Sequence, residues 1–210
     1  MSDEYSSAGR WRVVAACTGA FLAISASAVA ITSFLAHRAA GADNEVTGGK
    51  AAQDKYTLKV PGGLAFSEFR GYEGWQIVSI SQNNGKLAVI LGNPEMIAAY
   101  KAGIPQNGKS FPDGAKLAKV HWIPKMSEHF PSATVPGTQH DVDFMEKDAK
   151  RFADSGGWGY AEFEYDGASD TFRPGTLDDQ PPQANDAKCG AACHTIVKTR
   201  DYVFTEYGKR

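Results

Sequence analysis

The chain has 210 residues, a formal net charge of −2, and a composition that is 42% apolar and 11% aromatic. This composition supports a packed core and excludes global disorder, while the length suits one ordinary domain with an extension. Lysines and acids are interspersed along the chain, so the charge pattern gives no reason to expect a nucleic-acid partner.

The first 42 residues have the features of an export segment. Arg10 and Arg12 precede about two dozen uncharged residues, and small residues follow at positions 40–42. The uncharged stretch also reaches the length of about 20 apolar residues that a bilayer-spanning helix needs. We therefore expect residues 1–42 to be a cleaved signal peptide or an uncleaved membrane anchor, with a buried helix as a third interpretation. Either of the first two places the domain outside the cytoplasm.

The folded domain is expected over residues 56–210, after a small, polar linker at 43–55. A short amphipathic helix is predicted around residues 64–72. Two β-rich runs follow at residues 75–82 and 86–92, and the sequence "NNG" that joins them is a strong signal for a β-hairpin.

A second helix is predicted in "NPEMIAAYKAGI", directly after the hairpin. Asn93 is suited to the N-cap position and Pro94 to the first turn, where its missing N–H has no cost. Gly103 is expected to end this helix.

Three further strands are predicted at residues 115–122, 140–148 and 158–166. Alternation in the first of them places three side chains on one face: Leu117, Lys119 and His121. The order of elements shows no regular βαβ rhythm. It predicts an α+β domain, mainly an antiparallel β-sheet with a few short helices.

Cys189, Cys193 and His194 form a compact cluster near the end of the chain. A disulfide would close a very small loop, which gains little stability, and it would leave His194 unexplained. A structural zinc site needs four ligands in paired spacings, and the sequence has no second pair. A thioredoxin-like redox pair has two intervening residues and a βαβ context, and neither is present.

The remaining interpretation is a c-type haem, whose usual motif is two cysteines separated by two residues and followed by histidine. Both thiols bond to the haem, and the adjacent histidine ligates the iron. Here three residues separate the thiols, namely Gly190, Ala191 and Ala192, and their small size lets the backbone lie close to the porphyrin edge. Haem is the favoured interpretation, and a disulfide in a haem-free exported module is the alternative.

Several stretches of the chain resemble the cytochrome P-460 family, over residues 58–207. The resemblance rests on four sequences: "FPDGAKLAK" (111–119), "MEKDAKRF" (145–152), "GGWGYAEFEYD" (156–166) and "AACHTIVKTRDYVFT" (191–205). Members are small periplasmic c-type cytochromes, mostly β in fold and usually homodimeric, with a lysine bonded to the haem ring. The resemblance therefore implies a periplasmic, homodimeric haem protein, tethered if the N-terminal helix is not cleaved.

The resemblance also implies roles for particular residues. One haem c would be bound covalently through Cys189 and Cys193, with His194 as the axial ligand of the iron. Matching the family's F-x-D-G turn to "FPDG" places the ring-bonded lysine at Lys119, with Lys116 as the alternative. A solvated strand face is the ordinary interpretation of Lys119. A partly buried face would instead favour the neutral, nucleophilic amine that such a bond requires.

The best-studied members of the family oxidise hydroxylamine at an open iron face, by way of nitric oxide chemistry, and use a carboxylate as proton acceptor. The matching position here is Asp143, with Asp141 as the neighbouring alternative. The resemblance thus implies a haem-dependent hydroxylamine oxidoreductase that passes electrons to a partner cytochrome.

One position departs from this pattern. Ala88 stands where hydroxylamine-oxidising members carry an arginine. Relatives with an apolar open face bind nitric oxide and do not oxidise hydroxylamine. A non-enzymatic cytochrome that binds nitric oxide or transfers electrons is therefore the alternative function.

Overall fold

The computed structural model describes residues 52–177 and 190–210. The predicted N-terminal export segment, most of the linker and Cys189 lie outside the described residues. Among the helices of the described part, none has the length and apolar character required to span a membrane.

The described chain forms a six-stranded antiparallel sheet in which each strand pairs with the next in sequence. The strands are β1 (Gln76–Asn83), β2 (Lys86–Gly92), β3 (Lys116–Met126), β4 (Thr134–Lys147), β5 (Trp158–Asp166) and β6 (Thr171–Pro174). With its few short helices, this architecture confirms the predicted fold class.

Two features of the sheet were not predicted from the sequence. The short strand β6 pairs with the end of β5. Strands β3 and β4 also extend beyond the predicted bounds, because their outer ends pair through Pro124 and Pro136. Proline in a run normally argues against a strand, which is why the pattern missed these ends.

The β1–β2 hairpin forms where it was predicted. Asn84 and Gly85 make the turn with φ values of 50° and 72°. A two-residue turn with positive φ at both positions matches the right-handed twist of the flanking strands, and asparagine followed by glycine is the preferred pair. The local sequence therefore determines this turn.

Helix α1 (Pro94–Lys101) follows the predicted pattern of caps. The Asn93 side chain accepts the Met96 N–H at 3.0 Å, and Gly103 lies just past the helix end with a φ of 86°. The same Asn93 oxygen accepts the Lys116 N–H at 2.9 Å. This second bond ties the start of the helix to the start of β3.

The helix predicted around residues 64–72 is different in the structure. Two short 3₁₀ helices occupy this region, Phe66–Phe69 and Tyr72–Gly74, and Gly71 between them has a φ of 82°. This left-handed backbone breaks the α-helical path. Near the C-terminus, α2 (Ala191–His194) continues into a 3₁₀ helix at Thr195–Arg200.

The sheet is covered on both faces, so the described residues form two core clusters. Leu117 and Trp158 belong to a first cluster, beside α1 and the C-terminal segment. Ala118 belongs to the second cluster, beside the 3₁₀ helix that carries Phe66 and Phe69. The adjacent residues Leu117 and Ala118 therefore lie in opposite cores, which confirms the alternation predicted for β3.

Candidate functional site

A cavity of about 640 Å³ lies on the face of the sheet that carries the first core cluster. This volume falls within the range of about 300–1,000 Å³ that is typical of small-molecule and cofactor sites. Side chains of β1 to β5 line one side, and residues between Gly190 and Glu206 line the other. The cavity is thus formed between the sheet and the C-terminal segment.

Cross-strand pairing places one row of side chains across the sheet inside this cavity. The row contains Ile90 of β2, Lys119 of β3, Asp143 of β4 and Glu162 of β5. Side chains directly opposite one another in an antiparallel pair have Cβ atoms about 4.5–5.5 Å apart. Lys119 and Asp143 are therefore immediate neighbours, as are Asp143 and Glu162.

The next row along the strands is apolar. It contains Leu117, Met145 and Tyr160, all of which line the cavity. Burial raises the pKa of the Tyr160 hydroxyl far above its ordinary value, so this residue stays neutral. The floor of the cavity thus changes from a charged row to an apolar row within one pleat of the sheet.

Helix α2 brings two of the predicted haem-site residues to the same cavity, namely Cys193 and His194. The His194 ring lies 4.9 Å from the Tyr160 ring and 5.0 Å from the Phe204 ring, measured between centroids. The structure therefore places Cys193 and His194 around one cavity with Lys119 and Asp143, residues far away in sequence.

A hydrogen bond fixes the orientation of the His194 ring. Its Nδ1 lies 2.6 Å from the carbonyl oxygen of Tyr202. A carbonyl oxygen only accepts, so Nδ1–H is the donor, and Nε2 of the neutral ring keeps a lone pair for a metal. Metal-bound histidines usually have such a partner on the second nitrogen.

The Tyr202 carbonyl is presented by an unusual backbone turn. Asp201 and Tyr202 have φ values of 49° and 64°, both in the left-handed region. Non-glycine residues in this region cost on the order of 1–3 kcal/mol each and persist only where their surroundings hold them. Here the buried Asp201 carboxylate accepts from Lys147 Nζ at 2.8 Å and from the Phe111 N–H at 2.7 Å.

The environment of Asp143 disfavours its charged form. Its side chain, 19% exposed, lines the cavity. Burial, followed by the negative charges of Asp141 and Glu162, raises the pKa of Asp143 well above its ordinary value, although Lys119 and Lys86 act in the opposite direction. A carboxylate with a raised pKa is a better proton acceptor near neutral pH.

Asp141, the alternative proton acceptor, has a different environment. Burial by itself would raise the pKa of Asp141, but its hydrogen bond with His121 and the Lys86 ammonium at 3.0 Å hold the pKa below the ordinary range. His121 Nδ1 also lies 3.7 Å from an oxygen of Asp143. The structure therefore places Asp143 in the cavity wall. Asp141 and His121 are paired with each other in the adjacent row of the sheet, and Ala88 is paired with His121 in the same row.

The two candidate lysines lie on opposite faces of β3. Lys116 Nζ donates to the Glu68 carbonyl oxygen at 2.9 Å and pairs with Glu146 at 3.2 Å. These partners hold it on the face of the second core cluster. Lys119 lines the cavity and is half-buried. The structure therefore favours Lys119 for any bond to a group in the cavity.

Sequence reasoning did not identify Glu162 or Tyr202 as part of the site, whereas Tyr160 was expected in the core or against a haem. The alternation of β5 would have placed Tyr160 and Glu162 on one face, but which face met the cavity depended on pairing with β4. The role of the Tyr202 carbonyl had no sequence signal, because it rests on backbone geometry.

The cavity fits a haem by its size, its apolar row and its donors. A porphyrin needs a broad, mainly apolar slot with a few placed polar groups. The orientation of His194, with Nε2 as the available nitrogen, suits the axial ligand of a haem iron. Cys193 is the adjacent residue in α2, as a c-type attachment requires.

Comparison with known proteins agrees with this geometry. Residues 69–205, more than half of the chain, match the model of the family described as cytochrome P460. No curated protein matches the chain. The matched range extends from before β1 to the residues that follow the Tyr202 turn, and so includes Lys119, Asp143, Cys193 and His194 of the cavity. The chain belongs to the cytochrome P460 family.

Proposed function

We propose that the protein is a periplasmic c-type cytochrome that oxidises hydroxylamine, with one haem bound covalently through Cys189 and Cys193. Membership of the cytochrome P460 family supports a haem protein and is consistent with oxidoreductase activity. The observation that carries the proposal is the pairing of Asp143 with Lys119 in the cavity that Cys193 and His194 also line.

The haem, when bound, supplies the redox chemistry, and the chain supplies attachment, orientation and proton transfer. Cys189 and Cys193 would form the two thioether bonds, and His194 Nε2 would ligate the iron. Lys119 Nζ would bond to the ring, since this lysine is half-buried and faces the cavity. The apolar row with Tyr160 would contact the porphyrin ring.

Asp143 would act as the proton acceptor. Oxidation of hydroxylamine releases protons, so a base within reach of the substrate nitrogen or oxygen accelerates the reaction. The Asp143 carboxylate lines the cavity, and its raised pKa suits it to hold the released proton. Asp141 is less suited, because His121 and Lys86 stabilise its charged form.

A second candidate function is nitric oxide binding without turnover, which the alanine at position 88 favours. However, the open face expected for such a binder is apolar, and this cavity contains Asp143, Glu162 and Lys119 in one row. Ala88 lies in the adjacent row, opposite His121. The charged row is the reason to prefer oxidation.

We propose a soluble cytochrome as electron acceptor and a homodimer as the working form. Both rest on the family resemblance of the sequence, and export rests on the composition of residues 1–42. Intact mass of protein from the periplasm reports processing of the leader and bound haem together, and sedimentation reports the dimer.

The test of activity is turnover of hydroxylamine with an artificial electron acceptor. Asp143→Asn should lower kcat on the order of 10²- to 10⁴-fold, the usual contribution of a positioned base. Asp166→Asn is the matched control, because this aspartate lies at the exposed end of β5. A haem-loaded wild-type protein without turnover would favour the nitric oxide binder. A colourless protein from cells that mature c-type cytochromes would exclude every haem function.

A further inference from the structure

The buried ion pair of Lys147 and Asp201 lies outside the cavity but next to the turn that contacts His194. Lys147 Nζ is 2.8 Å from Asp201 Oδ1, and the two side chains are 7% and 9% exposed. Charged side chains are rarely this buried unless they are paired. The pair joins the end of β4 to the C-terminal segment.

Both charges make further directional bonds. Asp201 Oδ2 accepts the Phe111 N–H at 2.7 Å. Lys147 Nζ donates to the Gly156 carbonyl oxygen at 3.0 Å. The pair and its two further bonds thus join the end of β4, the C-terminal segment, and the loops at Phe111 and Gly156. These contacts fix the backbone at position 201 against the sheet.

The next residue carries the functional contact. Tyr202 follows Asp201 in the same left-handed turn, and its carbonyl oxygen accepts the Nδ1–H of His194 at 2.6 Å. The Asp201 carboxylate is bonded to Lys147 and Phe111. Because Tyr202 is the residue after Asp201, the ion pair acts on the imidazole by fixing the position of the Tyr202 carbonyl.

We propose that Lys147 and Asp201 are positioning residues that hold the Tyr202 carbonyl against His194 and thereby set the electron density of the imidazole. This inference rests on the proposed function, in which His194 is the axial ligand. A strong hydrogen bond at Nδ1 makes the imidazole a more basic ligand. A more basic ligand favours ferric over ferrous iron, so it lowers the reduction potential.

A purely structural role is the competing explanation. A buried ion pair is weak evidence for stability, because hydrophobic pairs of similar volume are often as stable. Such a replacement would fill the space but would not direct bonds to Phe111 and Gly156. The positioning role therefore predicts a change at the iron that packing alone does not.

The experiment compares haem-loaded wild-type protein with Asp201→Asn and Lys147→Met. The readouts are the iron–histidine stretching frequency of the ferrous protein and the midpoint potential. We expect the frequency to fall and the potential to rise. A tenfold gain in the ferrous-to-ferric ratio at fixed potential corresponds to about 59 mV for one electron. Lys147→Arg keeps the charge and should restore both values toward wild type.

Arg151→Met is the matched control, because it breaks another partly buried ion pair, with Glu68 of the 3₁₀ helix on the opposite face of the sheet. It should leave frequency and potential unchanged. If Asp201→Asn does not accumulate as folded protein, Lys147→Met combined with Asp201→Leu leaves no lone buried charge and should give the same shifts.

The two proposals fail in different ways. A wild-type protein that carries no haem overturns the proposed function. Haem-loaded Asp201 or Lys147 variants with wild-type frequency and potential overturn only the positioning role. A shift of equal size in Arg151→Met also overturns it, because the effect would then be a general consequence of lost stability.

Discussion

Gly156 and Tyr202 occupy adjoining space so closely that a Cβ on Gly156 would overlap the Tyr202 ring. Gly156 also has a φ of 72°, a conformation that other residues adopt at a cost. The two residues come from "GGWGY" and "DYVFT", two of the stretches that resemble the family. Their contact places the first stretch behind the turn that presents the Tyr202 carbonyl to His194.

This contact predicts unequal effects of two glycine substitutions. Gly85 has the same φ of 72°, but a Cβ there would meet no atom within 4 Å. Gly85→Ala should therefore lower the free energy of unfolding only by the cost of placing alanine in the left-handed conformation, about 1–2 kcal/mol. Gly156→Ala should lose about 1–3 kcal/mol more, because the Tyr202 ring must move. Denaturant midpoints measure both, and equal losses would contradict the contact.

Lys116 and Lys119, the two candidate lysines of β3, predict different visible spectra. A lysine bonded to the haem ring, as proposed for Lys119, is expected to shift the reduced Soret band to unusually long wavelength. Lys119→Leu should return the band to an ordinary position, because Lys119 faces the cavity. Lys116→Leu should leave it shifted, because Lys116 is held by Glu146 on the other face. The reverse outcome would assign the bond to Lys116.

The raised pKa of Asp143 predicts that this residue costs stability at neutral pH. A raised pKa in the folded state means that protonated Asp143 contributes stability below pH 3.8, its ordinary pKa. This contribution is lost as the pH rises through the raised pKa of the folded protein. Asp143→Asn should therefore be more stable than wild type at pH 7, and the gain should shrink as the pH falls. Thermal unfolding across this pH range checks the prediction, and a loss of stability at neutral pH would disprove it.

Asp141→Asn is the control with the opposite sign. Burial by itself raises the pKa of Asp141, but the interactions with His121 and then with Lys86 outweigh burial and lower the pKa in the folded state. The contribution of Asp141 to stability is therefore present above pH 3.8 and is lost as the pH falls through the lowered pKa. The variant should lose about 1.5–3 kcal/mol at neutral pH, the usual value of hydrogen bonds to a charged group. Thermal unfolding in the same buffers gives the comparison.

The pH dependence of turnover offers a separate test of Asp143 as base. Activity should fall as the pH drops through its pKa, because the protonated carboxyl accepts no further proton. Glu162→Gln removes a neighbouring negative charge that raises this pKa, so the acidic limb of the kcat profile should move to lower pH. Initial rates of hydroxylamine oxidation across the pH range measure the limb. If the acidic limb does not move in Glu162→Gln, the limb reports the pKa of a group other than Asp143.

The sequence by itself determined the elements that depend on neighbours along the chain. The positive-φ turn at Asn84 and Gly85 and the caps of α1 at Asn93 and Gly103 form where they were predicted. The reason is physical, since turn and cap preferences arise from backbone sterics and from bonds that span a few residues. Alternation likewise separated Lys119 from Lys116, although it left open which face is lined by a cavity.

Only the tertiary structure decided which distant residues meet. The register of β3, β4 and β5 places Asp143 between Lys119 and Glu162, and a shift of one residue would have turned it to the other face. The path of the C-terminal segment then brings His194 to this row. The bond from His194 to the Tyr202 carbonyl arises from a left-handed turn that long-range contacts hold, and propensities within the chain disfavour that conformation.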